Sequence, residues 1–102
     1  MKKETQTHYY PNGEKMYETP YVNGKRHGLE IWWRDNGNKM NEIPYVNDKK
    51  HGLEIGWYFN GSKRWEVTYV NDQRHGLYKW WYSNGKKCEE NLFKNNILHG
   101  VN

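Results

Sequence analysis

Four histidines and four glutamates recur in this chain at one spacing. His27, His51, His75 and His99 each precede a glycine, and Glu18, Glu42, Glu66 and Glu90 follow the same step of 24 residues. Imidazoles and carboxylates are the groups from which metal centres and acid–base pairs are built, and His27, His51 and His75 would be the candidate ligands. The spacing argues against both uses. If each step is one two-stranded unit, neighbours within a column stand roughly 9–10 Å apart, given a strand spacing of about 4.8 Å. That is too far to share an ion. A catalytic centre gathers unlike groups at one place, whereas these residues repeat with the chain. Cys88 sits in KKCEEN with no partner nucleophile motif, its column holding Met16, Met40 and Arg64, and the glycines are spaced as turn formers rather than as a phosphate cradle. The expectation is therefore no catalytic residue, no metal and no cofactor, with the His and Glu columns making the same local contacts in every unit.

What positions these columns is a string of hairpins. Asn-Gly recurs at Asn12, Asn36, Asn60 and Asn84, and an aromatic column runs Tyr21, Tyr45, Tyr69, Phe93. A period of 20 to 50 residues marks a repeat architecture whose units bury apolar surface only by stacking. Strands are expected at Thr5–Tyr10 and Lys15–Tyr21, Leu29–Arg34 and Lys39–Tyr45, Leu53–Tyr58 and Lys63–Tyr69, and Leu77–Tyr82 and Lys87–Phe93. The stretches Val22–His27, Val46–His51, Val70–His75 and Lys94–His99 read as polar loops ending at a glycine of positive φ. No window carries a helical period. Thr5 and Thr7 make the first strand a polar cap, and the array is expected to stop at Val101-Asn102, where a ninth strand would begin.

Turn chemistry and side-chain pattern together suggest a register. A two-residue turn at Asn36-Gly37 would set Ile31 against Glu42 and mix charge with apolar groups. A three-residue loop, a type I turn followed by Gly37 in the left-handed region, shifts the pairing by one and flips the second strand. Leu29, Ile31 and Trp33 would then share a face with Ile43 and Tyr45, and Leu53, Ile55 and Trp57 with Trp65, Val67 and Tyr69. Trp33, Trp57 and Trp81 would build the core, leaving Trp32 and Trp80 facing outward among charges. Pro20 and Pro44 would sit where the strand is bulged or leaving the sheet.

The 102 residues fit one domain, 1–102, with a lead-in at 1–8 and repeats at about 9–32, 33–56, 57–80 and 81–102. With 34% hydrophobic residues and a mean hydropathy of −1.31, a thick aliphatic core is excluded, and the aromatics at 17% must supply the buried area. The net charge of +4 is spread through all units, without the concentrated patch typical of nucleic-acid binding. A single cysteine excludes an intrachain disulfide. MKKETQTHYY lacks an apolar signal core and no apolar run approaches a membrane span, so the expectation is a soluble, cytoplasmic protein.

The pattern Tyr/Phe-x-Asn-Gly, then Glu, then Tyr-x-Asn-Gly/Asp, then His-Gly-Leu followed by Trp resembles the MORN repeat, specifically the bacterial variant labelled antitoxin-component-like. The resemblance spans residues 9 to 101 and is clearest in units two and three. It implies an all-β fold, an elongated antiparallel meander or open solenoid of four 24-residue hairpin repeats. It also implies scaffolding or protein binding in place of chemistry. The expected function is a non-enzymatic protein-binding module, in one form a small inhibitor or antitoxin-like protein, and the partner would be held by Trp32, Trp80, Tyr58, Arg34 and Arg64. The rival from another class is an acidic ligand, phospholipid headgroups or nucleic acid, held by Lys25, Arg26, Lys49, Lys50 and Arg74 stacked along the loop edge. Open sheet edges also invite homodimers.

Overall fold

The computed structural model describes residues 1–101, and for residues 98–101 the backbone alone. Its regular structure is all β: β1 (Lys3–Tyr9), β2 (Lys15–Val22), β3 (Lys25–Arg26), β4 (Gly28–Trp33), β5 (Lys39–Val46), β6 (Lys49–Lys50), β7 (Gly52–Trp57), β8 (Lys63–Val70), β9 (Gln73–Trp81), β10 (Lys87–Lys94) and β11 (Ile97–Val101). They form one open antiparallel sheet in the order β1-β2-β4-β5-β7-β8-β9-β10-β11, with β3 paired to β2 and β6 to β5. Extents of 41 × 33 × 13 Å describe a single layer. Nine strands at about 4.8 Å account for the long dimension.

Two features depart from the sequence expectation. The segments read as loops are tight hairpins instead. Asn47-Asp48 and Asn71-Asp72 take positive φ at both residues (49° and 68°, 47° and 69°), the mark of a type I′ turn, and Asn23-Gly24 and Asn95-Asn96 match them. Each leads into β3, β6, β9 or β11, so the chain is a continuous meander, and β11 is the strand where the array was expected to stop. After β3 and β6 the chain breaks at His27-Gly28 and His51-Gly52. Gly28 (φ 118°) and Gly52 (φ 120°) take the positive φ expected of them, and a Cβ at either would meet Cγ of Pro20 at 2.9 Å or of Pro44 at 3.2 Å. The prolines thus stand opposite a bulge, as expected.

The second departure concerns the faces. The Asn-Gly turn is the expected one: the N–H of Gly37 donates to the carbonyl of Arg34 (3.0 Å), that of Arg34 to the carbonyl of Asn38 (2.8 Å), and Gly37 has φ 91°. One residue later, however, Trp33 pairs with Lys39 while Trp32 pairs with Asn41, leaving Met40 as an unpaired extra residue. Met16, Arg64 and Cys88 are skipped in the same way. This second bulge undoes the shift made by the turn, since one extra residue flips a strand's side chains. Ile31 therefore pairs with Glu42, the register the sequence reading rejected, and Glu30 with Ile43.

One face, hereafter the aromatic face, carries Tyr17, Thr19, Glu30, Trp32, Ile43, Tyr45, Glu54, Trp65, Val67, Tyr69, Tyr78, Trp80 and Phe93, following the pairings. The most enclosed residues belong to it: Thr19, Val67, Glu54, Glu30, Tyr45 and Phe93 are buried. The other face carries Leu29, Ile31, Trp33, Leu53, Ile55, Trp57, Leu77 and Trp81, and its leucines are 41, 45 and 38% exposed. Trp33, Trp57 and Trp81 are half-buried there under Lys15, Lys39 and Lys63, whose ammonium groups lie 5.6, 5.8 and 5.5 Å from the ring centroids. Each of these lysines also pairs with the glutamate three residues on, Glu18, Glu42 or Glu66, as Lys87 does with Glu90. The Glu column is thus a ladder of solvent-screened ion pairs, each of which contributes little to stability.

Candidate functional site

Two buried carboxylates organise the aromatic face, and both are fully partnered. Glu30 accepts from the Thr19 hydroxyl (2.7 Å) and the Trp32 indole N–H (2.7 Å). Glu54 accepts from the Lys50 ammonium (2.9 Å) and the Trp65 indole N–H (3.0 Å). A buried acid is tolerated only when its oxygens are bonded, so each Glu fixes the indole beside it.

The two halves of the face use those indoles differently. In the first half Trp32 stacks on Tyr17 and Tyr17 on His8, both at 4.4 Å between centroids. That stack closes the surface. In the second half the residue in the column of Trp32 and Trp80 is Gly56, and the Trp65 ring lies against its backbone: a Cβ there would fall 2.4–2.5 Å from the six-membered ring atoms. Beside it opens a depression of about 660 Å³, walled by Trp65, Trp80, Tyr78, Tyr69 and Phe93 over Val67. Tyr78 meets Trp80 edge-on at 5.2 Å.

Polar groups of unequal standing line this depression. Arg64, the bulge residue of β8, lies 5.3 Å from the Tyr58 ring and 5.7 Å from that of Trp65. Arg74 lies 4.3 Å from the Phe93 ring and donates from Nε to Asn96 (2.8 Å). Its counterpart Arg26 stacks on Tyr45 at 4.2 Å but is paired with Asp48 (3.0 Å), and Lys50 stacks on Tyr69 but is paired with Glu54. Burial pulls the Lys50 ammonium down, yet the Glu54 bond and charge outweigh it and leave it raised. Burial pushes Tyr45 and Tyr69 up. Among the described residues neither Arg64 nor Arg74 has a carboxylate within ion-pair distance. The side-chain oxygen of Asn91, also in the lining, is buried with no hydrogen-bond partner among the described residues.

Of the residues expected to hold a partner, Trp80, Tyr58 and Arg64 meet at this depression. Trp32 shares the face but is committed to Tyr17 and Glu30. Trp32 and Trp80 thus lie on the more buried face, the reverse of the expected outward placement, because of the second bulge. Arg34 and Tyr58 also act as brackets, reaching one hairpin ahead to the carbonyls of Trp57 (3.1 Å) and Trp81 (2.6 Å), as Tyr10 does to Trp33 (2.6 Å). The residues expected to hold an acidic ligand divide. Arg26, Lys50 and Arg74 pack on the aromatic face, whereas Lys25 and Lys49, paired with Val22 and Val46, point to the other and are exposed. The sequence shows Gly56 breaking the column of Trp32 and Trp80, and that break marks where function could lie; the sequence reading missed Glu54 and Asn91 and placed Trp65 on the wrong face. The available signal was the column break at Gly56 coinciding with a tryptophan at Trp65, where neighbouring units have Tyr17 and Asn41.

Among the described residues no three His, Cys, Asp or Glu side chains gather as metal ligands, and no helix is long and apolar enough to cross a membrane. The MORN repeat variant matches residues 5–23, 26–47 and 74–95, passing over the stretch that contains Gly56, Arg64 and Trp65. No curated protein matches the chain. MORN repeats are generally protein- or membrane-binding modules and typically non-catalytic. With more than half of its length matched, the chain belongs to the MORN repeat variant family.

Proposed function

We propose that this chain is a non-enzymatic module that binds another protein through the aromatic face of its sheet, with Trp80, Tyr58 and Arg64 at the contact. The observation that carries this reading is the depression of about 660 Å³ lined by aromatic side chains, Trp65, Trp80, Tyr78, Tyr69 and Phe93 among them. Aromatic and arginine side chains set in a partly enclosed hollow are what protein interfaces use as anchors. The evenly repeated Glu ladder and the fully bonded Glu30 and Glu54 leave these groups to structure. An inhibitory, antitoxin-like action is one form such binding takes: a chain of this size blocks a partner by occupying its surface.

The test is site-specific photocrosslinking in the native host. With benzoylphenylalanine at Tyr78 on the aromatic face and, separately, at Leu53 on the opposite face, a specific adduct is expected from Tyr78 alone. Adducts from Leu53 alone would refute the reading.

A further inference from the structure

The depression is also selective in charge. The cations along the type I′ edge occupy one column, Arg26, Lys50 and Arg74, each packed on an aromatic ring. The first two are neutralised, by Asp48 and Glu54. At the third the position of Asp48 is taken by Asn96, so the Arg74 guanidinium is oriented by a neutral amide and keeps its full charge. Among the described residues Arg64 packs on the Tyr58 and Trp65 rings and has no carboxylate within ion-pair distance. Among the described residues, two guanidinium groups without a carboxylate partner therefore line one aromatic hollow whose lining carboxylate, Glu54, is already bonded to Lys50, together with the buried oxygen of Asn91, which has no partner among those residues. Guanidinium groups hold carboxylates in paired hydrogen bonds, Trp65 and Trp80 offer apolar walls, and a buried amide oxygen calls for a donor.

We propose, resting on the protein-binding reading above, that the depression receives an acidic segment of the partner protein. A carboxylate side chain reaches Arg74 and Arg64, an apolar neighbour seats between Trp65 and Trp80, and a backbone N–H donates to Asn91. The hollow's volume falls within the range that encloses small ligands and side-chain clusters, roughly 300–1,000 Å³. A peptide is favoured over a lipid surface because Arg74 is half-buried against the Phe93 ring and the exposed Arg64 lies over the Tyr58 and Trp65 rings at the same concavity, while the exposed Lys25 and Lys49 lie on the other face.

The experiment titrates the full chain with three acetylated, amidated hexapeptides, alternating leucine with aspartate, lysine or serine, and with phosphatidylserine vesicles. Binding is followed by tryptophan fluorescence and by the indole N–H resonances of Trp65 and Trp80. The aspartate peptide is expected to bind at least tenfold tighter than the lysine peptide and to weaken as salt rises. Its affinity should fall at least fivefold in R74Q, which retains the reach to Asn96, and stay unchanged in K49Q. Thermal melts of both variants confirm the fold. Equal binding of the aspartate and lysine peptides, or an unaffected R74Q, overturns the proposal. Vesicle binding without peptide discrimination overturns it in favour of a membrane surface. A Tyr78 crosslink to a partner alongside peptide failure removes the acidic-segment proposal and leaves protein binding standing, whereas crosslinks from Leu53 alone remove both.

Discussion

Replacing Gly56 by alanine tests whether the asymmetry of the aromatic face is built as described. An added Cβ would lie 2.4 Å from Cη2 of Trp65 and 2.5 Å from Cε2 and Cζ2, about 1 Å inside contact distance. The indole cannot simply swing aside, because its N–H is bonded to buried Glu54 at 3.0 Å and Arg64 covers its ring. Overpacking of this kind costs about 1–3 kcal/mol, and breaking the indole bond to a buried carboxylate adds about 1–3 kcal/mol. Alanine returns about 0.5–1 kcal/mol through its lower conformational entropy in a strand. The net expectation is a loss of about 1–5 kcal/mol; even the lower figure lowers the melting temperature of a domain this size by roughly 4–8 °C. Urea denaturation of G56A, W65A and the double variant supplies the decisive cycle. Without the ring, G56A should be neutral or mildly stabilising, so the two changes should be strongly non-additive. A G56A protein as stable as the parent, with unchanged near-ultraviolet circular dichroism, would refute the packing of Trp65 on Gly56.

Three further outcomes follow from named contacts. Y58F removes the bond to the Trp81 carbonyl (2.6 Å) and should cost about 0.5–1.5 kcal/mol in urea denaturation while leaving β content unchanged. Acid should destabilise the fold. The Arg26 backbone N–H, then its guanidinium, hold Asp48 below the usual carboxylate value of 3.8, and Lys87 lowers Glu90 from 4.5. A depressed native value gives stability that is present above the unfolded value and lost as pH falls through the native one. D48N should therefore flatten the acid limb of the melting curve below about pH 4, and an unchanged limb would dismiss the Arg26 contact. Alkali acts through Tyr45 and Tyr69, whose values burial raises above 10.0. Stability should be intact below the ordinary tyrosine value and decline above it, and phenolate absorbance of Y45F and Y69F should each lack one late-titrating group.

The fold was legible because period, turn chemistry and strand propensity agree. Asn-Gly followed by a strand specified the Gly37 turn, and Pro20 opposite Gly28 marked a bulge. The misread register and faces share one cause, a preference for segregating apolar from charged groups. That preference hid the second bulge at Met16, Met40, Arg64 and Cys88, whose side chains carry no common chemical signature. It also made a face with Glu30 and Glu54 look like the solvent side, although an indole N–H beside each acid makes burial affordable. The loops were misread because Asn-Asp and Asn-Asn, like Asn-Gly, support two consecutive residues at positive φ. The depression itself was not legible, since it depends on where Trp65 lies, and that follows only from the corrected parity.

The parity error bears on function as well as on fold. Had the expected faces held, Trp32 and Trp80 would be equivalent exposed anchors on a regular surface, and any partner would meet a repeating target. On the observed faces they are unlike. Trp32 is consumed by Tyr17 and Glu30, while Trp80 stands at an opening that exists because Trp65 has moved over Gly56. The charge pattern breaks at the same place, where Asn96 replaces the carboxylate that neutralises Arg26 at its own turn. A repeat sheet presents identical surfaces unless its copies diverge, and a single specific contact requires such divergence. Here the packing break at Gly56 and the charge break at Asn96 converge on one hollow. Restoring the column with N96D should therefore form an Arg74 ion pair and weaken the aspartate hexapeptide with little change in melting temperature. An N96D protein that binds that peptide as tightly as the parent would separate the charge break from recognition.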